Sequence, residues 1–158
     1  MYHYSVKEME TIPNQANNTL KNENEIHFPM NEAVSQIRNL KVLIAEDDEG
    51  SAMLIAMAIR RFSTEILRAV NGLEAVEACL NHPDIDLVLM DIKMPEMDGY
   101  EATRQIRQFN KAVIIIAQTA YALTGDREKT IETGCNDYIS KPIKKTQFME
   151  LMEKYFKS

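Results

Sequence analysis

The chain has 158 residues, with 18 Lys and Arg against 24 Asp and Glu, a formal net charge of -6, and 45% hydrophobic residues. This length and apolar content suit one compact domain with a tail and exclude a chain disordered throughout, while the acidic balance and the lack of a concentrated basic stretch argue against nucleic-acid binding. Cys79 and Cys135 are too few for a secreted disulfide framework and not at metal-ligand spacing, so both are expected as reduced, buried thiols; with no secretory pattern at the start and no apolar run near the ~20 residues of a bilayer span, a cytoplasmic location without direct membrane contact is expected.

Residues 1–39 are polar and rich in asparagine (Asn14, Asn17, Asn18, Asn22, Asn24, Asn31, Asn39) and read as a linker or tail. Within them, the weak alternation from Tyr2 to Val6 suits the stump of a strand from a preceding domain, and Glu32 to Arg38 suits a short helix capped by Asn31. From Lys41 the pattern becomes regular. Val42 to Ala45 predicts a first strand, and Ser51 to Phe62 a helix whose inward face would be Met53, Leu54, Met57, Ala58 and Phe62. Glu65 to Val70 predicts a second strand, Asn71-Gly72 a turn, and Leu73 to Leu80 a second helix. Leu87 to Met90 is a third strand, Tyr100 to Phe109 a third helix, and Val113 to Ala117 a fourth strand. A helix from about Asp126 to Thr133, capped by Thr124 and stopped by Gly134, leads to a short fifth strand at Tyr138-Ile139. The last helix runs from Lys144 to Phe156, with Phe148, Leu151, Met152 and Tyr155 on one face.

Strands this continuously apolar, alternating with helices, predict a parallel sheet covered on both faces. The fold class is therefore α/β, a flavodoxin-like (βα)5 doubly wound five-stranded sheet of order 2-1-3-4-5, with functional groups at the carboxyl ends of the strands. The residues at those ends are the informative feature. The first strand ends in Glu46-Asp47-Asp48, the third in Asp91, the fourth in Thr119 and the fifth in Lys141. A parallel sheet brings these ends to one edge. Crowded carboxylates repel unless a cation relieves them, and a hard ion such as Mg²⁺ (or Mn²⁺ in its place) is suited to oxygen ligands and phosphate. A neighbouring carboxylate could then attack phosphorus while Lys141 and Thr119 contact phosphoryl oxygens. Taken alone, Asp48 and Glu49 read as helix-capping residues rather than ligands.

The segments Val42 to Asp48 (VLIAEDD), Leu87 to Gly99 (LVLMDIKMPEMDG), Ala117 to Ala120 (AQTA) and Tyr138 to Pro142 (YISKP) resemble the response-regulator receiver domains of two-component signalling, and Met94 to Arg107 (MPEMDGYEATRQIR) and Gly125 to Ile143 (GDREKTIETGCNDYISKPI) are especially similar to receivers fused to hybrid sensor histidine kinases. The resemblance spans residues 40–158 and makes residues 1–39 a linker or the end of a preceding kinase domain. It implies that Asp91 accepts a phosphoryl group from a phosphohistidine of a sensor kinase or phosphotransfer protein. It also implies that Glu46, Asp47, Asp91 and the backbone carbonyl of Lys93 form the Mg²⁺ site, Glu46 through ordered water. Thr119 and Lys141 would hold the phosphoryl group, Lys141-Pro142 would be cis, and Thr119 with Tyr138 would switch the face made by the fourth helix, fifth strand and fifth helix. Lys93 and Tyr121 would flank the phosphoryl group and tune its lifetime.

Such a chain is a phosphoacceptor with slow self-dephosphorylation at most, not an enzyme in its own right. A stand-alone regulator is the alternative context. The enzyme-class rival is a Mg²⁺-dependent phosphohydrolase of the haloacid-dehalogenase type, which places a second Asp two residues after the nucleophile. Here that residue is Lys93. His82 reads as a loop residue, and Met53, Met57, Met149 and Met152 as core.

Overall fold

The computed structural model describes residues 2–4, 39–120 and 124–157. Among these, six strands and five helices run in chain order: β1 (Tyr2–Tyr4), β2 (Leu40–Ala45), α1 (Glu49–Ile59), β3 (Ser63–Ala69), α2 (Gly72–Asn81), β4 (Leu87–Asp91), α3 (Gly99–Phe109), β5 (Ile114–Thr119), α4 (Thr124–Glu132), β6 (Asp137–Ser140) and α5 (Lys145–Phe156). A 3-10 turn, Arg60–Phe62, closes α1.

The sheet order is β1-β3-β2-β4-β5-β6. The strands β3, β2, β4, β5 and β6 are parallel, which is the expected flavodoxin-like order 2-1-3-4-5. The sixth strand is a departure. Tyr2–Tyr4 pairs antiparallel with Ile66, Leu67 and Arg68 of β3 and so extends this sheet by one edge strand that the sequence reading did not place in it. A three-residue edge strand more than sixty positions away in sequence carries no local signal of its partner. The short helix read from Glu32 to Arg38 lies outside the described residues.

Two apolar layers flank the sheet. One holds Ile44, Ile66, Leu89, Ile116 and Ile139 under Ile55, Ile59, Phe148 and Met152 of α1 and α5. The other holds Leu43, Leu67, Val88, Ile115 and Ala117 under Ala75, Cys79, Ala102 and Ile106 of α2 and α3. Alternate residues of each strand thus go to opposite faces, and helices cover both faces. Cys79 and Cys135 are free and buried.

Helix α1 corrects the expected inward face. Its buried residues are Ala52, Ile55, Ala56 and Ile59, while Leu54 and Met57 are 69% and 58% exposed. Small alanines let the helix backbone lie close to the sheet, and the bulkier Leu54 and Met57 turn to solvent. Asp48 caps α1, its carboxylate accepting from Ser51 N–H at 2.7 Å. The Asn71-Gly72 pair is a helix start rather than a free turn: Asn71 accepts from Glu74 N–H at 2.8 Å and caps α2. Helix α4 begins at Thr124 itself, so that residue does not precede the helix as a cap. Gly134 lies just beyond it in the left-handed region at φ +102°, where a Cβ would be strained.

Candidate functional site

Strands β2, β4, β5 and β6 end on the same edge, and the connections there present the charged residues. Glu46 comes directly after β2, its N–H bonded to the Ala69 carbonyl at 2.9 Å. Its side chain is 2% exposed. Asp91 is the last residue of β4 and is also buried, while Asp47 faces solvent. One carboxylate oxygen from each of Glu46, Asp47 and Asp91 lies within 4.8 Å of the others.

Lys141 enters from beyond β6. Its backbone N–H donates to the Thr119 carbonyl at 2.8 Å, which fixes where the side chain starts. Its Nζ then stands 2.6 Å from Glu46 Oε2 and 2.6 Å from Asp91 Oδ2. The Lys141-Pro142 peptide is cis. Asp91 Oδ1 accepts the Lys93 N–H at 3.2 Å. Burial acts on the Lys141 ammonium by lowering its pKa, but the bonds to Asp91 and Glu46 outweigh it and hold it above its ordinary value. Burial pushes the Glu46 carboxyl up, and Lys141 opposes that rise. The bond at 2.6 Å from the Lys141 ammonium favours the charged form of Glu46.

Three carboxylates against one ammonium leave an excess of negative charge on oxygen donors alone. That donor set fits a hard divalent ion of the Mg²⁺ kind, for which Glu46, Asp47 and Asp91 would supply the oxygens. Asp48, engaged in capping α1, does other work.

The structure brings Glu46, Asp47, Asp91 and Lys141 together as the strand-end pattern predicts, and sets Lys93 and Thr119 on the same edge. Tyr138, on β6 opposite Ala117, is half-buried against the layer under α2 and α3. Tyr121 lies outside the described residues. His82 is a structural loop residue, its Nδ1 3.2 Å from Lys41 Nζ. Of the methionines read as core, Met152 is fully buried and Met149 is partly buried against the layer under α1 and α5, but Met57 is exposed.

Two residues that shape the site were not anticipated. Arg68, 5% exposed at the end of β3, turns its Nη2 to the Asp47 carbonyl at 3.2 Å and the Glu46 carbonyl at 3.5 Å. It braces the acidic loop through its backbone. A lone cation in the run Ile66-Leu67-Arg68-Ala69 is the signal that could have found it. Gly99 brings the start of α3 onto β4. A Cβ there would stand 2.2 Å from the Asp91 carbonyl oxygen.

A family model described as "Response regulator receiver domain" matches residues 42–153. The polar-differentiation response regulator DivK of Brucella anthropi is 39% identical over 116 residues, covering 72% of this chain and 94% of DivK. Among solved structures, the receiver domain of sensor histidine kinase PA1611 from Pseudomonas aeruginosa, with a magnesium ion coordinated in its active-site cleft, superposes with a TM-score of 0.67 at 33% identity, covering 76% of this chain and 99% of that one. A chain from the co-crystal of the Saccharomyces cerevisiae phosphotransfer protein Ypd1 with the receiver domain of Ssk1 gives a TM-score of 0.69 at 30% identity, covering 75% and 90%.

Proposed function

The chain belongs to the response regulator receiver family, and from that membership we propose that Asp91 is the residue that accepts a phosphoryl group from the phosphohistidine of a sensor kinase or phosphotransfer protein. The observation that carries the proposal is the Lys141 ammonium, 2.6 Å from both Asp91 and Glu46, at a strand edge where Asp47 adds a third carboxylate.

In the transfer, an Asp91 carboxylate oxygen attacks phosphorus. The P–N bond to the donor imidazole breaks, its electron pair stays on nitrogen, and Asp91 becomes an acyl phosphate. A Mg²⁺ ion held by Asp47, Asp91 and the Lys93 carbonyl, with Glu46 acting through ordered water, or Mn²⁺ in its place, would neutralise phosphoryl charge when bound. Lys141 would exchange its carboxylate partners for a phosphoryl oxygen, and Thr119 would donate its hydroxyl to another. Burial of Asp91 and Glu46 limits water at the acceptor. The chain is then a phosphoacceptor with slow self-dephosphorylation, and Thr119 with Tyr138 reports the modification on the α4–β6–α5 face.

Two contexts fit. The resemblance of the motifs to hybrid histidine kinases favours a receiver within a longer kinase, and the PA1611 receiver belongs to a sensor kinase. A stand-alone regulator is favoured by DivK, of which this chain covers 94%. The test is incubation with Mg²⁺ and acetyl phosphate, and then intact-mass measurement. One added phosphoryl group that requires the metal and is released by mild base supports the proposal. No added mass, or turnover of the donor without a phosphorylated protein, would overturn it.

A further inference from the structure

Beside the acidic centre, and sharing Lys141 with it, lies a cavity of about 540 Å³ lined by Ser51, Leu54, Ile55 and Ala58 of α1, Gln118 of β5, and Lys141, Pro142 and Ile143. Its volume falls in the range of small-molecule sites, and its walls are mostly apolar with few polar groups. Gln118 is the unusual member. Strand alternation places it on the face of Ile114 and Ile116, the face that α1 covers. It is 0% exposed, yet neither its Nε2 nor its Oε1 meets a hydrogen-bond partner among the described residues.

A buried amide with both ends unpaired carries a desolvation cost that packing alone does not offset. An aliphatic residue at this point of an otherwise Ile-rich strand would avoid it. The amide offers a donor and an acceptor side by side, and the group that answers both is another amide-type edge. We infer that this cavity binds a small molecule with an apolar body and a planar carboxamide-type edge, which pairs with Gln118 while its body rests on Leu54, Ile55, Ala58 and Ile143. Leu54 lines the cavity and is 69% exposed, so the cavity meets solvent on the α1 side. This site makes no use of the phosphoryl chemistry and stands or falls separately from it.

The test is a nuclear magnetic resonance titration of the ¹⁵N-labelled full chain with naphthalene-2-carboxamide and with its N,N-dimethyl derivative, which keeps the carbonyl but has no N–H to donate. The Gln118 side-chain NH₂ signals are assigned by their loss in Gln118→Met. The primary amide should shift those signals saturably and bind about fivefold tighter than the dimethyl compound, as expected for one neutral hydrogen bond. Gln118→Met should erase that preference. Ala58→Trp, a change at an exposed helix position, should abolish binding of both compounds while the spectrum stays dispersed. Gln118 signals that do not move, equal affinities for the two compounds, or binding that survives Ala58→Trp would each overturn the inference. If Gln118→Met fails to fold, the signals are assigned by through-bond experiments in the unsubstituted chain, and the two compounds together with Ala58→Trp decide.

Discussion

The close approach of α3 to β4 makes Gly99→Ala a sharp test of how the site is positioned. A Cβ at residue 99 would lie 2.2 Å from the Asp91 carbonyl oxygen and 3.0 Å from both the Asp91 carbonyl carbon and Ile92 Cα. These are backbone atoms and cannot rotate away, so the helix start must retreat by about 1 Å, at an overpacking cost of about 1–3 kcal/mol. The same movement weakens the Gly99 N–H to Ile92 carbonyl bond at 3.0 Å, worth about 1 kcal/mol. The better helix propensity of alanine returns at most about 1 kcal/mol. Net destabilisation of about 1–3 kcal/mol is expected. Gly50→Ala is the control. There the added Cβ meets only Asp48 Oδ1 at an ordinary 3.4 Å, and a stabilisation of up to about 1 kcal/mol is expected. Urea unfolding of both variants, with the slopes compared to confirm the same transition, reads the difference. Gly99→Ala should also weaken Mg²⁺ binding, because Asp91 moves with its backbone. A Gly99→Ala protein as stable as Gly50→Ala, with unchanged Mg²⁺ affinity, would refute the reasoning.

Other consequences are as specific. Arg68→Met removes the guanidinium from the Asp47 and Glu46 carbonyls and should weaken Mg²⁺ binding by about 10–100-fold, the usual range for an outer-shell partner; unchanged binding by calorimetry would show that the loop holds its own shape. Burial pushes the Cys79 thiol from 9.0 up to about 12, so a disulfide reagent at pH 8 should label it only in denaturant. Above pH 9.0 the unfolded chain loses a Cys79 proton that the folded chain keeps to about 12. The Cys79 contribution to stability is therefore full below that window and falls as pH rises through it, and Cys79→Ala should flatten the decline in alkaline urea titrations. Deleting residues 1–36 removes β1 and its pairing with three positions of β3 but none of the residues of the two apolar layers; cooperative unfolding and phosphorylation should survive, and loss of either would make the leader part of the domain.

The parallel sheet is legible in the sequence because each strand is a short apolar run trailed by a helical stretch, and the site is legible because a parallel sheet sends every strand end to one edge. What escapes does so for physical reasons. The inward face of α1 is hidden because bulk suggests burial for Leu54 and Met57, whereas Ala52 and Ala56 are the residues that fit against the sheet. The pairing of Tyr2–Tyr4 with β3 depends on backbone bonds across a long stretch of chain, which periodicity does not record. Gly99 is ordinary in sequence and consequential only because the Asp91 carbonyl is 2.2 Å from its missing Cβ. Arg68 and Gln118 are polar residues inside apolar strands, and that mismatch is visible in the sequence, but what each one faces depends on the packed fold.

Among the acidic residues at the strand edge, Asp91 is the proposed receiver of the phosphoryl group. The most direct measurement is intact mass after Mg²⁺ and acetyl phosphate treatment of the wild type, Asp91→Asn, Asp47→Asn and Asp48→Asn. The wild type and Asp48→Asn should each gain one phosphoryl group, because Asp48 is engaged in capping α1. Asp47→Asn should gain it only at raised metal concentration, and Asp91→Asn should gain none. A full phosphoryl increment on Asp91→Asn would contradict the assignment.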